Sequence, residues 1–153
     1  MLNILGAVVA GIAGTIIMTM IMVVAPKMGM PKMDIVGLLG SMFKKEVVKP
    51  LGLALHFMMG IIFAVIYALL WSKGIGRASV GYGALFGTVH WLIVGLIMGM
   101  ISMLHAGIKA GTVKAPGVYM TNNGGAKGFM GGLVGHIVYG LSVALTYGLF
   151  IHR

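Results

Sequence analysis

Residues 131–150 read GGLVGHIVYGLSVALTYGLF, and residues 51–70 read LGLALHFMMGIIFAVIYALL. Each run matches the ~20 residues a helix needs to cross a ~30 Å hydrocarbon layer. Neither contains a charged side chain. Laid over one another they coincide at Gly52/Gly132, Leu53/Leu133, His56/His136, Gly60/Gly140, Ala64/Ala144, Tyr67/Tyr147 and Leu69/Leu149. The shared pattern is G-x3-H-x3-G-x3-A-x2-Y. Residues four apart share one helix face. Gly52, His56, Gly60 and Ala64 therefore form one stripe, and Gly132, His136, Gly140 and Ala144 another. Small residues at this spacing let membrane helices approach closely, so the stripes, and the histidines on them, are expected to face protein.

Two more apolar runs cover about 2–25 and 79–104, and they match one another through Gly14-Thr15 and Gly87-Thr88. Backbone polar groups in lipid must be satisfied within the segment, which makes all four runs helices. The expected fold is an all-α membrane protein with four transmembrane helices, at about 2–25, 51–72, 79–104 and 128–151, forming a single domain over 1–153. The repeat arranges them as two tandem helical hairpins with pseudo-twofold symmetry along the membrane normal. The first run lacks the basic n-region of a signal peptide and is longer than an h-region, and is read as a retained span.

Composition agrees with this class. Of 153 residues, 59% are apolar and 8% charged, against about 25% charged in soluble domains; the mean hydropathy is +1.07. The net charge of +9 does not imply nucleic-acid binding, because the basic residues sit in loops. Lys27, Lys32, Lys44, Lys45 and Lys49 lie between the first two spans, and Lys109, Lys114 and Lys127 between the last two; Lys73, Arg77 and Arg153 fall on the other side. The positive-inside rule then puts both long loops in the cytoplasm and both termini outside, in the inner membrane of a prokaryote. Attraction to anionic headgroups accounts for the excess charge.

Between the spans, Pro26 stops the first helix. MDIVGLLGSMF, residues 33–43, is too short to cross and reads as an interfacial helix with Asp34 as its N-cap. Pro50 opens the second span. The 105–127 loop, rich in glycine, reads as an ordered cap.

The chemistry the chain carries is histidine chemistry. There are no cysteines, and both acids, Asp34 and Glu46, lie outside the spans. No Ser-His-Asp set or carboxylate pair can be assembled, and GGAKG lacks the ending of a P-loop; no enzyme is expected. His56 and His136, set at one height by the repeat, have three readings. They are interhelical hydrogen-bonding groups; or they bind a haem b or a metal ion, with His105 as a third metal ligand or else a solvated loop residue; or they relay protons or contact a solute. His90, in the third span, has Ile17 as its repeat counterpart and is a candidate relay. Tyr67, Tyr147 and Trp71 read as an interfacial aromatic belt. The methionine clusters read as packing. His152 reads as a solvated terminal residue.

The runs GTIIMTMIMVVAPKMGMPKMDIVGLLGSMF, HFMMGIIFAVIYALLW, GTVHWLIVGLIMGM and GHIVYGLSVALTYGLF resemble the small YagU-like inner-membrane proteins of prokaryotes. That resemblance implies a multi-pass inner-membrane location and supplies no site residues. The functional expectation is a small integral or accessory subunit of a larger membrane complex, read as a redox one, with partners in the lipid bilayer and other membrane subunits. The alternative is a small solute carrier or channel, alone or as a homo-oligomer.

Since the chain lacks native cysteine, single cysteines report its orientation cleanly. Lys45→Cys and Lys114→Cys are expected to react with an impermeant maleimide only from the cytoplasmic side, and Ile75→Cys only from the outside. Reversed labelling would invert the topology.

Overall fold

The computed structural model describes residues 2–151; His152 and Arg153, read above as terminal and solvated or charged, lie outside the described residues. Among the described residues six α-helices run in chain order: α1 Ile4–Val24, α2 Ile35–Gly40, α3 Lys49–Ser72, α4 Val80–Met100, α5 Ala106–Lys109 and α6 Ala126–Ile151. No strand occurs among the described residues. Short 3-10 turns at Ala25–Met28 and Ile101–Met103 lengthen the first and third spans. The four long helices, Ile4–Met28, Lys49–Ser72, Val80–Met103 and Ala126–Ile151, are each long and apolar enough to cross a membrane. The expected all-helical class with four such helices is therefore observed.

The chain divides into two compact units. The first comprises residues 2–21, 57–91 and 133–151, and the second 22–56 and 92–132.

Within the first unit, α1 meets α3 and α4 meets α6 through backbone. A Cβ added at Gly11 would lie 2.8 Å from Ile61 Cα, 2.9 Å from the Gly60 carbonyl oxygen and 3.0 Å from Ala64 Cβ. A Cβ added at Gly83 would lie 2.7 Å from the Gly140 oxygen, 2.8 Å from Ala144 Cβ and 3.1 Å from Leu141 Cα. Gly60, Ile61 and Ala64 are the repeat counterparts of Gly140, Leu141 and Ala144, so the two contacts use matching positions. Lipid gives helices no hydrophobic reason to associate; close van der Waals packing and hydrogen bonds supply the attraction. Only glycine allows backbones this near. Ala64 and Ala144, 0% and 1% exposed, complete the two stripes.

The helix α6 is the most enclosed span. It buries 50% of its most apolar window, against 22–28% for the other three. From α1, Gly14 lies against the Tyr139 ring and Val143, and Gly6 against Phe150. Asn3 joins the same two helices: its N–H donates to Tyr147 Oη (3.1 Å), its Nδ2 donates to the Phe150 carbonyl (3.2 Å), and its Oδ1 accepts from Gly6 N–H (2.8 Å). One side chain thus caps α1 and ties it to α6.

In the second unit, Asp34 accepts from Gly37 N–H (2.8 Å) and starts α2 as expected. The helix is shorter than the 33–43 run from which it was read, because Ser41 closes it: its Oγ donates to the Gly37 carbonyl (3.0 Å). Gly52 is expected to pack span on span; it seats α2 instead, since a Cβ there would lie 2.8 Å from Gly40 N and 2.9 Å from the Val36 carbonyl carbon. The 105–127 region is ordered through α5 and the turn Val118–Met120, where Tyr119 and Met120 take left-handed φ values of 51° and 58°. Two consecutive non-glycine residues persist there because Met120 is buried and the Tyr119 ring lies on Gly95 and on Phe129, at 5.4 Å between centroids.

Gly140→Leu is expected to cost about 1–3 kcal/mol through overpacking, lowering the midpoint of thermal unfolding in detergent. A Cβ at Gly140 would lie 2.9 Å from Gly87 N, with the Gly83 carbonyl nearer still. Gly81→Ala, where nothing lies within 4 Å, is expected to leave the midpoint unchanged or raise it slightly.

A buried histidine–tyrosine cluster as the candidate functional site

The glycine contacts decide which polar side chains meet. On α4, Gly83, Gly87 and His90 fall at i, i+4 and i+7, on one helix face. On α6, His136, Gly140 and Ala144 fall at i, i+4 and i+8, again on one face. A Cβ at Gly87 would lie 2.8 Å from Ile137 Cα and 2.9 Å from the His136 carbonyl carbon. With the backbones that close, the next residue along the α4 face must confront α6. His90 does so: its ring centroid is 4.7 Å from that of His136, with the planes at 87°.

Four aromatic side chains enclose this pair within the first unit. Phe63 stacks on His90 at 3.7 Å and 29°. Trp91 lies 5.0 Å from His136, and Tyr139 stands edge-on to His90 at 5.7 Å. Tyr67 completes the group, with its Oη 3.1 Å from His90 Nδ1. Either the phenol donates to a bare Nδ1, or Nδ1–H donates to the phenol oxygen; in both arrangements His90 Nε2 takes the opposite role. Tyr139 Oη donates to the Gly60 carbonyl, a third link from α6, here to α3. His90 and His136 are each 8% exposed, Tyr67 3% and Tyr139 2%. Such bonds between membrane helices average ~0.6 kcal/mol in one measured case. Their stabilisation is modest, and their effect is to fix ring orientation.

Several expectations change here. Tyr67, Tyr147 and Trp71 are not an interfacial belt; all three are buried. Tyr67 bonds His90, Tyr147 bonds Asn3, and Trp71 packs 5.8 Å from each of these tyrosines. Their position on the small-residue stripe (Tyr67 is seven residues past Gly60) was the signal for a protein-facing role. His105 is not solvated but 0% exposed, with both ring nitrogens in hydrogen bonds to Leu38 and Ile108. That leaves it no lone pair for a metal, and no group of three or more histidine or carboxylate side chains among the described residues could hold one. The expected His56/His136/His105 metal set is therefore not assembled. His56 is buried in the second unit and His136 in the first; the histidine placed beside His136 is His90. Tyr139, unremarked in the sequence, is an organising residue, and its signal is the i, i+3 relation to His136.

Tyr67→Phe removes the hydroxyl at Nδ1 of His90 and is expected to cost about 1 kcal/mol. In a double-mutant cycle with His90→Phe the two losses are expected to be less than additive, read by denaturant unfolding in micelles. Additive losses would mean that the two side chains do not interact.

The chain matches no known family model, and no curated protein or solved structure is similar to it.

Proposed function

We propose that this protein is a small membrane carrier or channel, and that Tyr67, His90 and His136 form the polar centre through which it handles protons. Four apolar helices of membrane-spanning length support the membrane setting. The observation that carries the reading is the convergence of these side chains from three helices: Tyr67 Oη at 3.1 Å from His90 Nδ1 and the His136 ring at 4.7 Å from that of His90. Titratable groups within membrane helices are costly, and they mark ion or proton pathways. Both carboxylates of the chain lie outside the spans, so histidine is the residue type left for the task. An imidazole takes a proton at one nitrogen and releases it from the other. The phenol of Tyr67 accepts and donates through a single oxygen. The resemblance to YagU-like proteins and the excess of lysine in the long loops support the cytoplasmic membrane of a prokaryote, with those loops inside.

A second reading, an integral subunit of a larger membrane complex, is favoured by one observation. In three of the four spans only 22–28% of the most apolar window is buried, and exposed apolar side chains along them are surface for lipid or for other helices. Co-purification with other membrane chains at fixed stoichiometry supports that reading. A Soret band after haem-replete expression, lost in His136→Ala, would give such a subunit a haem.

In liposomes with an imposed potential and an entrapped pH dye, the wild type is expected to carry protons above the protein-free rate. His90→Gln and His136→Gln are expected to reduce the flux to background, and Tyr67→Phe to reduce it severalfold. Wild-type flux equal to that of empty liposomes would overturn the carrier reading.

A further inference from the structure

We propose that residues 42–45 and 103–109 together form an anchor for anionic phospholipid, with Phe43 and Leu104 seated among the acyl chains and Lys44, Lys45 and Lys109 at the headgroup phosphates. Among the described residues the four most exposed large apolar side chains are Leu104, Met28, Phe43 and Met103, at 70–88%. None lies in the interior of a span. Met28 and Met103 end the first and third spans, Leu104 follows directly, and Phe43 lies beyond the end of α2. All four belong to the second unit. Apolar side chains this open are costly in water. Next to the end of a span, the apolar medium at hand is the headgroup–acyl boundary of the bilayer.

Backbone bonds make one surface of the two segments. Ala106 N–H donates to the Met42 carbonyl (3.0 Å) and Gly107 N–H to the Ser41 carbonyl (2.9 Å). Thr112 Oγ1 donates to the Lys45 carbonyl (2.6 Å). The fit is tight: a Cβ at Gly107 would lie 2.6 Å from Ser41 Oγ. Phe43 follows Met42 directly, and Leu104 stands two residues before Ala106. The surface is thus ordered before any lipid arrives, which lowers the entropy lost on binding. Charge selects the lipid. Lys114 Nζ is turned onto the Asn122 carbonyl (2.8 Å) and Lys127 Nζ onto the Gly29 carbonyl (3.4 Å). Lys44, Lys45 and Lys109 are exposed, with Glu46 as the acid on the same strip. Lysines set among apolar side chains seat a segment in the membrane interface, and each lysine there adds attraction to anionic headgroups. Excess charge alone would give a diffuse attraction shared by every basic residue. Here three lysines are gathered around two open apolar side chains on an ordered backbone. An acidic soluble protein would match the lysines and leave the apolar side chains, beside a span end, without a partner.

Spin-labelled lipid tests this on the full chain in phosphatidylcholine vesicles. Trace phosphatidylglycerol or phosphatidylcholine carries the label on the same acyl chain, and the fraction slowed by the protein gives the preference. The wild type is expected to favour phosphatidylglycerol at least about fivefold, the factor that one well-placed lysine supplies. Lys44→Gln, Lys45→Gln and Lys109→Gln combined are expected to abolish the preference, and Phe43→Ser with Leu104→Ser to weaken it severalfold. Lys73→Gln with Arg77→Gln, which removes charge elsewhere, is expected to leave it intact. Equal association of the two lipids with the wild type overturns the anchor, and so does an equal loss in the Lys73/Arg77 variant, which would mean diffuse charge. Depth is the second measurement, and it stands even if the lysine variant fails to fold. A nitroxide on Phe43→Cys or Leu104→Cys, in vesicles containing phosphatidylglycerol, is expected to be relaxed more by oxygen than by a water-soluble nickel chelate. The reverse order overturns the proposal and gives the surface to a soluble partner. His90→Gln and His136→Gln are expected to leave the lipid preference unchanged, so failure of the carrier reading and failure of the anchor are separately visible.

Discussion

Backbone-to-backbone contact at glycine is the constraint on which the first unit depends. In water, apolar helices associate because water expels their side chains; in hydrocarbon that force is absent and association rests on contact distance. Gly11 on Gly60 and Ile61, and Gly83 and Gly87 on Gly140 and Ile137, bring peptide units to distances that any side chain would forbid. Once two helices touch along such a seam, the residues next in register have no freedom to turn away. The seam of α4 on α6 ends in His90 and His136, and the stripe of α3 ends in Tyr67, so three polar side chains are carried into one cluster by contacts made entirely of small residues.

This explains what was legible in the sequence and what was not. Span number, helix class and the protein-facing stripes follow from run length and four-residue spacing, which local geometry converts directly into faces. The Asp34 cap follows from a rule that involves only neighbouring residues. The partner of each histidine does not follow. Internal similarity pointed to His56 and His136 because it finds what two halves share, whereas packing placed His90 beside His136. The register of Gly83, Gly87 and His90 contained that information, but only once α6 was known to be the helix they face.

The 105–127 region was legible as ordered, and unreadable in detail for the same reason. Its order comes from non-local bonds: His105 to Leu38, Thr112 to Lys45, Lys127 Nζ to the Gly29 carbonyl at 3.4 Å. None is signalled by spacing, and His105 in particular looks like any polar residue at a helix end. Its burial is tolerated because both nitrogens find partners of opposite kind. A buried polar group satisfied on every side specifies one arrangement more sharply than an apolar group of equal size.

The two halves of the repeat also divide scaffold from chemistry. Where they agree, at Gly60/Gly140 and Ala64/Ala144, the residues make the same contact twice. Where they differ, the polar cluster appears: His90 stands at the position of Ile17, and Tyr139 at that of Met59. Tyr67 and Tyr147 are identical residues given different partners, His90 in one case and the Asn3 amide in the other. Two seams of close approach, Gly11 on Gly60 and Gly83 on Gly140, thus use matching positions of the two similar runs. The residues that differ between the runs, His90 and Tyr139, are those whose rings meet beside His136, and the shared glycines are what hold them there.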